Sequence, residues 1–369
     1  MKNLPVGIQS FEDLRTSPQN YLYVDKTEHI YRLITTGKLY FLSRPRRFGK
    51  SLLINTFGEL FKGNKNLFEG LYIHDKWDWN TKYPVIRIDW SDIKHGTPEE
   101  IEKDLSDFLK LKAKDYDITL TREYASSRLA ELIEYLHRKT GEKVVVLIDE
   151  YDVPILDAMG KSSEELKNIK DSLHNIYKIL KSADNHLRFI FMTGVSKFAG
   201  LSVFSALNNL DDISLWTDYS TICGITQAEL ESNFSEHIDA MAAHQGKSRS
   251  KLLEDIRLHY NGYSWDGRTS VYNPYSTLLC LKHRRLENFW FSTGTPTFLI
   301  ELLKKRNSVI NAFLNPATVL SHTFNSYDSE ELEETPLLFQ TGYLTIKEAT
   351  HSDEGTRYTL GIPNREVKV

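Results

Sequence analysis

The feature that most constrains the fold of this 369-residue chain is an unbroken apolar run at residues 144–148. Four of its five residues are Val or Ile, and Asp149 and Glu150 follow it directly. A strand that is apolar at every position has both faces buried, as in a parallel sheet covered by helices. Strand-like and helix-like segments also alternate through the first two hundred residues. The sequence therefore predicts an α/β fold, with a parallel sheet and helices on both faces.

A shorter apolar run, residues 39–42, precedes a basic loop and a predicted helix over residues 50–61. The loop and the helix start read Arg44-Pro45-Arg46-Arg47-Phe48-Gly49-Lys50-Ser51. The last three residues match the phosphate-binding pattern G-x-x-x-x-G-K-[ST], but Arg44 stands where the first glycine is expected. The position between a strand and a helix is where a phosphate-binding loop belongs. The sequence predicts a P-loop here.

The chemistry of such a loop depends most on its last three residues. Gly49 lets the backbone approach a phosphate at the helix N-terminus. Lys50 can reach the β- and γ-phosphates of a nucleotide, and the Ser51 hydroxyl can bind Mg²⁺. The alternative for these residues is a solvated helix start.

Asp149 and Glu150 lie at the end of the apolar run, 99 residues after the start of the predicted helix. In a Walker B motif, the aspartate holds the Mg²⁺ shell and the glutamate orients or activates water. The alternative is a pair of acidic residues that ends a strand at the surface. The basic loop and this acidic pair together favour nucleotide binding.

A third apolar run, residues 187–192, leads into Thr193-Gly194-Val195-Ser196-Lys197. In P-loop ATPases with a glutamate beside the Walker B aspartate, the strand between the two motif strands presents a polar residue to the γ-phosphate. Thr193 is our candidate for that sensor. For Ser196 and Lys197, a γ-phosphate contact and a turn with a solvated lysine are both open.

These patterns define the candidate site residues. Glu150, Thr193 and Lys197 are the catalytic candidates, and Ser51 and Asp149 are the metal ligands. The residues predicted to bind the nucleotide are Arg47, Phe48, Gly49, Lys50, Ser51, Leu52 and Asp149. The three arginines of the loop, Arg44, Arg46 and Arg47, either stabilise transferred charge, bind a partner's phosphate or form an exposed basic turn.

The chain changes character near residue 225, where strand signals fade and helix start and stop signals dominate. We expect a domain boundary there and a helical extension up to residue 345. A short strand pair at residues 337–339 and 343–346, turning at Gly342, fits a small winged-helix-like module.

Charge, hydropathy and cysteine content exclude several classes of protein. The net charge is −4, so any nucleic-acid site must be local. The candidates are Lys282-His283-Arg284-Arg285 and Lys304-Lys305-Arg306, which either contact DNA phosphates or form solvated helix faces. No stretch approaches 18 consecutive apolar residues and no signal peptide is evident, so we expect a cytoplasmic protein without a membrane partner. Cys223 and Cys280 are 57 positions apart and are expected to be buried thiols.

Seven motifs along the chain are similar to those of the bacterial AAA-ATPase-like proteins that usually carry a C-terminal PD-(D/E)XK nuclease-like domain. The motifs are Tyr23-Val24-Asp25-Lys26-Thr27, the arginine-rich loop at residues 44–51, Asp149-Glu150-Tyr151-Asp152, Thr193-Gly194-Val195-Ser196-Lys197-Phe198, Tyr260-Asn261-Gly262-Tyr263, Asn273-Pro274-Tyr275-Ser276 and Thr341-Gly342-Tyr343-Leu344. The arginine-rich P-loop is the usual form in that family.

The resemblance implies a P-loop ATPase core of the AAA/ASCE type over residues 1–225, with ATP and Mg²⁺ as ligands. It also implies that Asp25-Lys26-Thr27 packs over the nucleotide side, with direct contact left open. A helical and winged-helix-like extension would occupy residues 226–345. Residues 346–369 resemble the start of the nuclease-like domain, with Glu366 a structural residue of its truncated first strand.

Three functions follow as hypotheses. The first is a slowly hydrolysing ATP switch for the missing nuclease-like effector. The second is a DNA-binding or nuclease-regulating module, and the third is a scaffold that keeps a nucleotide without hydrolysing it. A homo-oligomer is possible, because related ATPases often receive an arginine from a neighbouring subunit.

Overall fold

Five parallel strands form the central sheet, in the order β2-β3-β4-β1-β5. The strands are β1 (Leu39–Ser43), β2 (Val85–Asp89), β3 (Val144–Asp149), β4 (Leu187–Gly194) and β5 (Asp211–Asp212). β4 lies between β1 and β3, the strands that carry the basic loop and the acidic pair. The predicted α/β fold with a parallel sheet is confirmed.

The computed structural model describes residues 1–159, 161–197, 207, 209–290, 318–324, 334–353 and 355–368. Two features of the sequence lie outside these ranges. They are the basic cluster Lys304-Lys305-Arg306 and Phe198 of the fourth motif.

Helices cover both faces of the sheet. Every residue of β1 and β3 is therefore buried. The helices of the core, numbered along the described residues, are α1 (Phe11–Thr16), α2 (Thr27–Thr36), α3 (Lys50–Phe61), α4 (Pro98–Lys114), α5 (Ala125–Thr140), α6 (Val153–Ala158) and α7 (Ser163–Ser182). α3 begins at the basic loop and packs against β3. The Thr97 side chain caps α4, and Ser162 with Glu165 forms a capping box at α7.

Four helices follow the predicted change near residue 225. They are α8 (Gln227–Asn233), α9 (Ser235–Gln245), α10 (Arg249–Tyr260) and α11 (Pro274–His283). Their apolar residues form a second hydrophobic core with Ile225 and with Leu22 of the N-terminal segment. Tyr263 and Trp265, by contrast, join the main core under the sheet. The Thr226 side chain caps the start of α8, and the Asn273 side chain caps the start of α11. Threonine and asparagine are both favoured at such positions.

The last described elements form a three-stranded antiparallel sheet in the order β6-β8-β7. Its strands are β6 (Thr318–Leu320), β7 (Thr345–Ser352) and β8 (Gly355–Gly361), and two helices flank them, α12 (Glu334–Gln340) and α13 (Arg365–Lys368). The strand predicted at residues 337–339 is wrong, because these residues form part of α12. Gly342, at φ +90°, follows that helix. The next strand is β7, which pairs with β8.

β7 begins at residue 345, and β8 pairs with both β6 and β7, so strands from both sides of the boundary expected there lie in one sheet. Glu366 lies in the short helix α13 and not in a strand, which corrects the strand expected there. Both cysteines are buried free thiols, as predicted. Among the helices in the described ranges, none is long and apolar enough to cross a membrane.

The buried centre of β3 should dominate the stability of the sheet. Leu147 is 0% exposed, so Leu147→Ala leaves a cavity and should lower the free energy of unfolding by about 2 to 5 kcal/mol. Leu111 of α4 is 58% exposed, so Leu111→Ala should change the free energy of unfolding by less than about 0.5 kcal/mol. Urea unfolding monitored by circular dichroism measures both. Equal losses in the two variants would contradict the arrangement.

Candidate functional site

The carboxyl ends of β3 and β4 meet at a fully buried carboxylate, Asp149. Its Oδ1 accepts hydrogen bonds from Thr193 Oγ1 at 2.7 Å and from the Glu150 amide at 3.1 Å. Its Oδ2 is also buried and has no hydrogen-bond partner within the described part of the chain. A buried carboxylate oxygen without a partner costs free energy unless a cation or donor joins it. Asp149 therefore has one oxygen available for a ligand.

Glu150 follows in a left-handed backbone conformation, with φ +52°. Non-glycine residues seldom adopt this region, and such strain is concentrated at functional sites. Burial raises the pKa of the Glu150 carboxyl, and the charge of Lys50 opposes that shift. A strained backbone and a raised pKa thus occur together at the half-buried Glu150 carboxylate.

The basic loop turns into α3 at Gly49, whose φ of +92° favours glycine. The next residue, Lys50, is only 6% exposed. Its Nζ donates hydrogen bonds to the carbonyl oxygens of Arg44 at 2.9 Å and Pro45 at 3.1 Å. Burial lowers the Lys50 pKa, and the carboxylates of Asp149 and its neighbours counteract this. The lysine thus folds back along the loop.

Arg44 is not an exposed arginine, and that alternative is wrong for this residue. The side chain is 0% exposed, and its guanidinium lies over the Trp265 ring at 4.0 Å. It donates to the carbonyl oxygens of Ser43 and Ser214, both at 2.8 Å, and of Tyr219 at 3.0 Å. Burial lowers the Arg44 pKa to about 10. This guanidinium ties the loop to distant parts of the core.

The other residues of the loop face in different directions. The Phe48 ring is buried and packs edge-on against Tyr263, with ring centroids 4.8 Å apart, so its backbone amide is what it can offer a ligand. Arg47 is exposed and has a left-handed backbone, φ +72°. Ser51 and Leu52 are half-buried at the start of α3.

A cavity of about 380 Å³ opens beside this loop. Its lining comes from the loop, the end of β3, α11 and the N-terminal segment. Its lining residues include Pro5, Gly7, Ile8, Gln9, Arg46, Arg47, Gly49, Lys50, Ser51, Leu52, Glu150, Asp152, Tyr275 and Leu278. We call it the loop cavity. It brings together Lys50, Ser51 and Glu150, as the sequence predicts.

A smaller, mainly apolar pocket of about 110 Å³ adjoins the loop cavity and shares Gly49 and Leu52 with it. Lys26 also lines this apolar pocket, and its Nζ donates to both carboxylate oxygens of Glu229, at 2.6 and 2.7 Å. Asp25 instead accepts hydrogen bonds from the Thr27 amide and hydroxyl. Of this N-terminal motif, Tyr23, Val24 and Lys26 line the apolar pocket.

Two catalytic candidates have other partners in the structure. The Thr193 hydroxyl is fully buried and donates its proton to Asp149. Lys197 forms an ion pair with Asp212, Nζ to Oδ2 2.6 Å, and its amide donates to Gln340. Neither Thr193 nor Lys197 lines the loop cavity.

Sequence reasoning missed a clamp formed by Tyr151 and Asp152. The buried Asp152 carboxylate accepts hydrogen bonds from the amides of Val195 at 3.0 Å and Ser196 at 2.7 Å. The Tyr151 hydroxyl donates to the Ser196 carbonyl at 2.7 Å. Gly194 is needed between them, because a Cβ there would overlap Asp152 and Tyr151. The only local signal for the clamp was the second aspartate after the strand.

The extension contacts the loop through two aromatic residues that were not predicted site residues. The Trp290 Nε1 donates to the Arg46 carbonyl at 3.3 Å, and the Arg47 guanidinium lies 4.9 Å from the Tyr275 ring centroid. Glu366 holds Trp290 from behind, because its Oε1 accepts the Trp290 amide at 2.8 Å.

The basic cluster at the end of α11 is remote from this arrangement. Lys282 and Arg284 line a separate cavity of about 430 Å³ with Lys2 and His237. A contact of this cluster with DNA stays a prediction.

The strand order, with β4 between the loop strand and the acidic strand, defines a P-loop ATPase fold. The family described as "Predicted AAA-ATPase" matches residues 5–204. An uncharacterized protein in the vnfD 5′ region of Azotobacter chroococcum mcd 1 is 41% identical over 367 residues, which cover 100% of this chain and 68% of that protein. The chain belongs to this family, and it contains a nucleotide-binding ATPase domain.

Among solved structures, AMPPCP-bound DnaA from Aquifex aeolicus aligns with a TM-score of 0.31 and 10% sequence identity. The alignment covers 79% of this chain and 68% of DnaA.

Glu366 should make the stability of the protein depend on pH. Burial raises its pKa to about 7, from an ordinary value of 4.5. The folded state therefore holds the proton more tightly than the unfolded state, so the stability that this proton gives is lost as the pH rises from about 4.5 through 7. Glu366→Gln mimics the neutral acid and should be more stable than wild type at pH 8, by no more than about 3 kcal/mol.

Urea unfolding of both proteins at pH 5 and pH 8 tests this. The free energies of unfolding of wild type and Glu366→Gln should differ less at pH 5 than at pH 8. Glu123→Gln, at an exposed glutamate, is the control and should follow wild type at both values. An identical pH profile for Glu366→Gln and wild type would contradict the prediction.

Proposed function

We propose that the chain binds ATP with Mg²⁺ at the loop cavity, hydrolyses it slowly and acts as a nucleotide-dependent switch. The observation that carries this proposal is the meeting of Lys50, Ser51 and Glu150 in one cavity. These residues come from two motifs about a hundred positions apart, and each has the chemistry that one part of a nucleotide triphosphate needs.

The phosphates would lie along the loop and the start of α3. Backbone amides from Phe48 to Ser51 face an anion at a helix N-terminus, where the helix dipole favours negative charge. The Lys50 ammonium has three N–H donors, two of which are used on loop carbonyls. Its third donor is the one proposed to reach the β- and γ-phosphates.

Asp149 and Ser51 are the proposed ligands of Mg²⁺, directly or through its water shell. The buried Oδ2 of Asp149 without a partner fits such a cation, because Mg²⁺ prefers oxygen ligands and offsets the cost of a buried charge. Bound Mg²⁺ would neutralise phosphate charge. In this proposal Glu150 orients the attacking water and accepts its proton.

The apolar pocket is the proposed site for the nucleobase. It adjoins the loop cavity through Gly49 and Leu52, so a base there can be continuous with phosphates on the loop. Its apolar lining suits a flat heterocycle, and pockets of this kind usually bind with few polar groups.

We expect slow turnover, because the side chains of Thr193 and Lys197 already have other partners. The Thr193 hydroxyl donates to Asp149, and the Lys197 ammonium is paired with Asp212. We infer that Thr193 acts through Asp149 by fixing the orientation of its carboxylate. Direct γ-phosphate contact by Lys197 requires that its ion pair open.

Two substitutions separate nucleotide binding from hydrolysis. Lys50→Ala removes the proposed phosphate cation and should abolish ATP binding in calorimetry. Glu150→Gln keeps the size of the side chain but cannot accept a proton, so it should bind ATP and release little phosphate. Lys62→Ala is the matched control, because Lys62 follows the same helix and is 51% exposed. Equal ATP affinity for Lys50→Ala and wild type would refute the proposed site.

Thr193→Val tests the role of the Asp149 carboxylate. Valine keeps the shape of threonine but removes the hydroxyl, and a hydrogen bond to a charged group contributes about 1.5 to 3 kcal/mol. The affinity for ATP should therefore fall about tenfold in the presence of Mg²⁺ and change little when EDTA removes it. Thr193→Ser should behave as wild type. An equal loss with and without Mg²⁺ would rule out action through the metal ligand.

A further inference from the structure

Arg46 and Arg47 both line the loop cavity, and Arg47 is the more exposed of the two. Its backbone is left-handed, with φ +72°. Within the described part of the chain, its guanidinium has no ion pair with a carboxylate. Arg44 differs from Arg47, because its guanidinium donates to three carbonyl oxygens in the core.

The partner of Arg47 is an aromatic ring from the extension. The guanidinium carbon lies 4.9 Å from the centroid of Tyr275, within the range of a cation–π contact. Tyr275 also lines the loop cavity. A guanidinium that stacks on an aromatic ring keeps its N–H donors, which project at its edge, and arginine uses that arrangement to bind phosphate.

Tyr275 is held firmly where α11 begins. The Asn273 side chain caps the helix by accepting a hydrogen bond from the Ser276 amide at 3.1 Å. The Ser276 hydroxyl, in turn, donates to Glu366 Oε1 at 2.9 Å. Tyr275 therefore lies between two anchored residues, Asn273 and Ser276, and its ring contacts Arg47 from there.

We propose that Tyr275 is a positioning residue for Arg47, and that this pair lets the site distinguish ATP from ADP by presenting the guanidinium to the γ-phosphate. The inference rests on the proposed function, and it adds a contribution from the extension to the phosphate site. The loop amides and Lys50 serve the phosphates nearest the helix. Arg47 and Glu150 line the same cavity, and Glu150 must lie near the γ-phosphate if it activates the attacking water.

The test is the ratio of the affinities for a non-hydrolysable ATP analogue and for ADP, measured by calorimetry with Mg²⁺. Tyr275→Leu removes the ring and should lower this ratio about two- to five-fold, the range of an exposed cation–π contact. Tyr275→Phe keeps the ring and should restore the wild-type ratio. Arg47→Ala should lower the ratio about tenfold or more.

A double-mutant cycle separates positioning from a general structural effect. In the Arg47→Ala background, Tyr275→Leu should have no further effect on the ratio, because the group that it positions is absent. Tyr72→Leu is the matched control. It removes a cation–π contact with Lys76, at 4.7 Å, outside the loop cavity, and should leave the ratio unchanged.

The outcomes distinguish the inference from the function on which it rests. If wild type binds neither nucleotide, the proposed function fails and the inference fails with it. If wild type binds both but Tyr275→Leu and Arg47→Ala weaken ATP and ADP equally, the inference alone is overturned. Should Tyr275→Leu not fold in thermal unfolding, an unchanged ratio in Arg47→Ala overturns the inference just as well.

Discussion

The buried carboxylate of Asp149 is the constraint on which the rest of the site depends. A charge removed from water must be compensated by hydrogen bonds or by an opposite charge. Thr193 and the Glu150 amide compensate one oxygen, and the Thr193 hydroxyl reaches it because β3 and β4 end side by side. The Asp152 clamp fixes that geometry by binding the backbone just beyond β4. Gly194 is the residue small enough to let the clamp close.

The elements that the sequence predicted correctly are those with local causes. The apolar run at residues 144–148 became the buried β3, and the helix predicted over residues 50–61 has those bounds. The helix starts at Thr97, Ser162 and Thr226 also have a local cause, because each capping side chain and its partner lie within three residues. The meeting of Lys50, Ser51 and Glu150 in one cavity was predictable, because the loop and the acidic pair both follow the carboxyl ends of parallel strands. The functional roles of these residues stay predictions.

What the sequence did not reveal depends on residues far apart in the chain. Arg44 is buried because carbonyl groups about 170 positions away accept its hydrogen bonds, and a local basic pattern carries no sign of them. Tyr275 reaches the loop only because the extension folds back on it. Residues 337–339 are three apolar residues in a row, too few to show whether the period is that of a helix or a strand.

The same long-range packing joins the loop to the end of the described chain. Arg46 and Arg47 are neighbours on the loop, and each contacts a different aromatic residue of the extension, Trp290 and Tyr275. Both aromatic residues are tied to the single carboxylate of Glu366, directly or through α11. These contacts form a continuous connection between the loop and Glu366. If binding of a ligand at the loop and of a partner at Glu366 is coupled through them, each must change the affinity of the other by the same factor.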